Sequence, residues 1–82
     1  MRISRNTLHL NDTLNINVSV KNVSTLIIDF GDSTTRQFPL SGAAQEISEI
    51  HVYSDTGSYI LGAFAFNDKS AYSKRMLIKV AP

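Results

Sequence analysis

Cysteine and tryptophan are both absent from this 82-residue chain, and proline and glycine are scarce, at two and four residues. Without cysteine there is no disulfide and no thiolate-bound zinc or iron–sulfur centre, although the redox compartment stays open. No apolar run approaches the ~18 residues needed to span a bilayer, so direct membrane insertion is not expected. The formal net charge of +1 supplies no global attraction to nucleic acid or to a membrane surface. Met1-Arg2-Ile3-Ser4-Arg5 has no apolar signal-peptide core, and the expectation is a domain excised from a larger protein. The chain shows no internal repeat, linker or low-complexity tract.

What is present is a period of two. Leu8, Leu10, Leu14, Ile16, Val18 and Val20 occupy alternate positions among Thr, Asn and Ser, which places the apolar set on one face of a sheet and the polar set in water. Asn11-Asp12 breaks the run with turn chemistry, giving a short edge strand over 7–10 and a longer strand over 13–20. Residues 25–30 are apolar on both faces, as a central strand requires. Residues 35–40 form a short strand that Pro39 confines to an edge. Strands follow over 46–53, with Ile50 and Val52 expected to face in, and over 59–66, with Phe64 and Phe66 expected in the core. A four-residue loop, Asn67-Asp68-Lys69-Ser70, leads into a last strand over 71–80, with Tyr72, Met76, Ile78 and Val80 on one face.

Eighty-two residues make one domain, 1–82. A chain this short buries about 60–65% of its unfolded surface, for a net stability of roughly 4–12 kcal/mol. Hydrophobic residues make up 43% of the chain and charged residues 18%, which argues against disorder. Seven short strands separated by turns, with no apolar period of 3.6, read as an all-β, two-sheet antiparallel sandwich. Arg2, Arg5, Lys69, Lys74, Arg75 and Lys79 lie toward the chain ends, whereas Asp29, Asp32, Glu46, Glu49 and Asp55 lie in the middle. If the ends are neighbours, one sheet face is mildly basic.

Chemistry-bearing residues are few. Asp29 and Asp32, with Asp55 or Asp68, lack the tight alternating oxygen spacing of a calcium loop. His51 beside Ser33, Ser54 or Ser58 falls in no nucleophile-elbow pattern, and serine is common enough here to neighbour a histidine by chance. His9 points to solvent from an edge strand. No catalytic residue, metal or cofactor is therefore expected. Three Asn-x-Ser/Thr sequons begin at Asn11, Asn17 and Asn22 and reflect composition. Tyr72, just beyond the hairpin loop, is the candidate ligand contact.

The segments Ile28-Asp29-Phe30-Gly31-Asp32-Ser33 and His51-Val52-Tyr53-Ser54-Asp55-Thr56-Gly57-Ser58-Tyr59 carry the most information. Together they resemble the W-D-F-G-D-G and H-x-Y-x-x-x-G-x-Y signature of the PKD (polycystic kidney disease) family. The resemblance covers residues 13–80, with specific matches in those two motifs. Ile28 stands where the family has tryptophan, Ser33 replaces the second glycine, and residues 35–46 lengthen the connection to His51. The resemblance implies an Ig-like sandwich in which Asp29, Phe30, Gly31, Asp32, His51, Tyr53, Gly57 and Tyr59 are structural signature positions. It further implies a non-catalytic extracellular or cell-surface module, a spacer or adhesion domain whose partner is a protein or a neighbouring domain of the same chain. Two alternatives stand beside it: a carbohydrate-binding accessory module of a secreted hydrolase, and a virion or surface-assembly module that docks through an edge strand.

Overall fold

A computed structural model describes residues 1–82 of the protein and contains eight strands and no helix. They are β1 (Arg2–Ile3), β2 (Thr7–His9), β3 (Leu14–Val20), β4 (Thr25–Asp29), β5 (Thr35–Pro39), β6 (Gln45–His51), β7 (Gly57–Phe66) and β8 (Ala71–Ala81). They form a three-stranded sheet, β1-β3-β6, and a five-stranded sheet, β2-β8-β7-β4-β5. Leu14, Ile16, Val18 and Val20 of β3, Leu26 and Ile28 of β4, Leu61 and Ala63 of β7, and Ile78 and Val80 of β8 are buried in one core. The strict alternation along β3 is what supplies its half of that core.

Two features depart from the expected seven-stranded antiparallel arrangement. Arg2–Ile3 pairs antiparallel with Asn17–Ile16, adding a strand too short to show a period. The chain then crosses to the other sheet, where β2 runs parallel to β8. Ser4 N–H donates to Asn15 O at 3.0 Å and Lys79 N–H donates to Asn6 O at 2.9 Å, so the crossing segment is bonded to both sheets. A parallel pair between β2 and the distant β8 leaves no local trace in sequence, because no hairpin turn announces it.

Two inward faces are the reverse of those expected. In β6 the inward residues are Ile47, Glu49 and His51, continued by the buried Tyr53, while Ile50 is 62% and Val52 46% exposed. The pairing Leu14↔His51, Ile16↔Glu49 and Val18↔Ile47 fixes this, since residues opposite one another share a face. A slip of one residue would bury Ile50 and expel Tyr53, a much larger side chain. In β7, Leu61 and Ala63 are buried and Phe66 is exposed. Phe64 lies instead against Gly62 on the outer face, where a Cβ on Gly62 would come within 2.9 Å of its ring. The ring thus covers the bare backbone that glycine leaves.

The basic residues of the two chain ends are divided between the sheets rather than gathered on one face. Arg2 pairs with Glu46 at 3.6 Å and Arg5 with Asp12 at 3.7 Å. Loop chemistry follows the sequence more closely. Asp12 Oδ2 accepts from His9 N–H at 2.9 Å, and Asn67 Oδ1 accepts from Lys69 and Ser70 N–H at 2.8 and 2.7 Å. Asn11 and Asn22, read above as sequon composition, hold φ of +73° and +61°, a conformation asparagine tolerates better than most residues.

Candidate functional site

The turn after β4 is closed by its own side chains. Asp29 Oδ1 accepts from Gly31 N–H at 2.9 Å, Asp32 Oδ1 accepts from Thr34 N–H at 3.2 Å, and the Thr34 hydroxyl donates to the same oxygen. Phe30 N–H donates to Thr34 O at 3.1 Å. These are Asx-type contacts, available because aspartate reaches the backbone two residues ahead. Gly31 has φ of +83°, and a Cβ there would lie 2.5 Å from Ile60 O and 2.9 Å from Ile60 N. Glycine is therefore required twice, by conformation and by the close approach of β7.

From the opposite sheet, β6 delivers His51 onto this turn. Its Nε2–H donates to Asp32 Oδ2 at 2.7 Å. Its ring stacks on Phe30, with centroids 3.9 Å apart and planes 6° from parallel. Tyr53 meets His51 edge-on at 4.7 Å and stacks on Tyr59 at 4.4 Å. Four rings thus form a continuous column at one end of the sandwich, joined by two stacked contacts and one edge-on contact. Both tyrosine hydroxyls bond to backbone: Tyr53 donates to Phe30 O and Tyr59 to Asp55 O, each at 2.8 Å.

Electrostatics follow from these contacts. Burial works to raise the Asp32 carboxyl, but the hydrogen bonds from Thr34 and His51 and the charge interaction with His51 outweigh it and hold it below 3.8. Burial, reinforced by the nearby charge of Asp32, pushes the Tyr53 hydroxyl up to about 12. Every buried side-chain nitrogen and oxygen in the protein has a hydrogen-bond partner.

Seven of the eight motif residues therefore converge: Asp29, Phe30, Gly31, Asp32, His51, Tyr53 and Tyr59. Gly57 opens β7 at φ +142°, where its missing Cβ would stand 4.0 Å from the Tyr59 hydroxyl. Asp55 lies at the same end of the sandwich, whereas Asp68 sits in the β7–β8 hairpin at the other end. The hydrogen bond of His51 reaches Asp32, and none joins it to Ser33, Ser54 or Ser58. His9 lies on the opposite sheet, its Nδ1 3.3 Å from Pro82 O. Thr34 was not singled out in the sequence, although its position two residues after Asp32 is an Asx-turn spacing. The backbone acceptors, Phe30 O and Asp55 O, have no signal in sequence.

Tyr72 stands apart from this cluster, 64% exposed. With Met1, Val20, Ala65 and Lys74 it borders a cleft of about 190 Å³ between the sheets at the far end. The cleft follows from the small inward residues of β7, Ala63 and Ala65. No protein-family model and no curated protein matches the chain.

Proposed function

We propose that the protein is a non-catalytic β-sandwich module of PKD type, acting outside the cell as a spacer or protein–protein contact domain of a larger protein. The observation that carries this reading is where the motif's polar groups go. Asp29 is committed to Gly31, Asp32 to Thr34 and His51, Tyr53 to Phe30, and Tyr59 to Asp55. Each bond closes a turn or ties one sheet to the other, so the motif's chemistry is consumed by the fold. The shape favours the spacer role. The molecule measures 42 × 18 × 15 Å, with Met1 on the far cleft and Pro82 beside His9 at the motif end.

The test is the mass of the native gene product, by immunoblot with an antibody to the folded domain. A product much larger than 9.1 kDa, secreted or surface-bound, is expected. A lone product of that mass inside the cell would overturn the module reading. A second reading, carbohydrate binding, rests on the exposed Tyr72 ring at the rim of the cleft. It requires Tyr72→Ala to abolish retention on an insoluble polysaccharide without altering the melting temperature, and unchanged retention would remove it.

A further inference from the structure

At the end of the sandwich away from the motif, the space between the sheets is not filled. Ala63 and Ala65 of β7 and Leu26 of β4 line one side of the cleft there, and Val18 and Val20 of β3 line the other. Met1, just before β1, packs against the core at its border. Alanine on one sheet facing valine on the other leaves about 190 Å³ that larger side chains would occupy in a close-packed interior. Every buried side-chain nitrogen and oxygen already has a partner, so the interior of the cleft has no orphaned polar group to hold water in place.

The mouth of the cleft is cationic. Across the β7–β8 ladder, Ala63 stands opposite Lys74 and Ala65 opposite Tyr72, so both larger residues share the core-facing side of β8. On that side Met76 is half-buried and Ile78 and Val80 are buried, which puts Lys74 in an otherwise apolar series. It borders the cleft yet stays exposed, as when an aliphatic stem covers apolar surface and the ammonium remains in water. Lys21, which follows β3, borders the same cleft. The chain's ion pairs join Arg2 to Glu46, Arg5 to Asp12, Arg36 to Glu49 and His51 to Asp32, and use neither lysine. No aspartate or glutamate lines the cleft.

We infer that this cleft binds a small apolar monocarboxylate, its single ring or short acyl chain seated between Ala63 and Ala65 on one sheet and Val18 and Val20 on the other. The carboxylate stands at the mouth, turned toward Lys74 and Lys21. The volume sets the size of the apolar part, since a closed apolar cavity of about 150 Å³ accepts benzene. Removing that part from water supplies the affinity. The charge sets the head group: two cations with no carboxylate of their own attract an anion and repel an amine. This site goes beyond the module reading and stands independently of it.

Phenylacetate, phenethyl alcohol and phenethylamine share one apolar body and carry a negative, a zero and a positive charge. Titrating each into the isotope-labelled chain, followed by amide NMR spectra, separates the recess from the lysines. Phenylacetate should shift the amides of Val18, Val20, Ala63 and Ala65 with a Kd of about 1 mM, the range open to a ligand of this size. The alcohol should bind about threefold more weakly and the amine about tenfold, because an exposed ion pair contributes little. In the double variant Lys21→Gln, Lys74→Gln, the acid and the alcohol should bind within about twofold of one another. Ala65→Leu fills the recess and should weaken the acid about tenfold or more, with the dispersion of the same spectra reporting its fold. Absence of shifts at those four amides with about 10 mM phenylacetate, equal binding of all three probes, or a preference for the acid that survives in the lysine double variant would each overturn the inference. The lysine variants keep the test decisive even if Ala65→Leu fails to fold.

Discussion

Gly31 and Ser33 sit two residues apart in one turn, both at positive φ, and they predict opposite responses to substitution. Gly31→Ala should cost at least about 2 kcal/mol, because the left-handed conformation penalises a Cβ that would also strike the β7 backbone. Ser33→Gly should stabilise by about 0.5–1 kcal/mol, relieving the same backbone penalty where no side-chain contact depends on the serine. Chemical denaturation of the two variants checks both signs. Tyr53→Phe leaves Phe30 O without its 2.8 Å donor in a buried site and should cost about 1–3 kcal/mol in the same assay.

At the scale of elements, the reversed faces of β6 and β7 make a sharp contrast available. Ile50→Ala on the exposed face of β6 should change stability by less than about 0.5 kcal/mol, whereas Ile16→Ala in the core of β3 should cost about 2–4 kcal/mol. Thermal melts decide between this register and the one the hydropathy of 46–53 suggests. That segment shows why some of the fold was legible and some was not. β3 alternates cleanly, so its inward face is read without error. β6 carries apolar residues on both faces, and the choice between them is made by the long-range fit of Tyr53 and His51 against the β4 turn, which no local window contains. The aspartates, glycines and aromatic residues of the site were visible as a motif. Their geometry, above all the column of rings, depended on two segments about twenty residues apart meeting across the sheets.

For the whole molecule, Asp32 contributes to the acid side of the stability profile and Tyr53 to the alkaline side. Asp32 is held below its ordinary value of 3.8 in the folded state, so its contribution is complete above that pH and is lost as pH falls through the lower folded value. Asp32→Asn should flatten the acid limb of a stability–pH profile. Tyr53 is shifted the other way, from 10.0 to about 12. The folded protein keeps it neutral where the unfolded chain ionises, so stability is complete below pH 10 and declines between there and 12. Across that interval the loss amounts to about 3 kcal/mol in total. Ultraviolet titration should show one of the three tyrosines ionising last, and Tyr53→Phe should remove that phase.

The motif locks one sheet to the other, with the Asp32–His51 hydrogen bond at its centre. A double-mutant cycle on Asp32→Ala and His51→Ala, read by urea denaturation, measures that bond apart from the stacking and turn contacts of each residue. The predicted coupling is about 1–2 kcal/mol, fitting a charge-assisted bond of 2.7 Å between side chains only 15% and 19% exposed. Additive losses, with coupling near zero, would contradict a structural lock between Asp32 and His51.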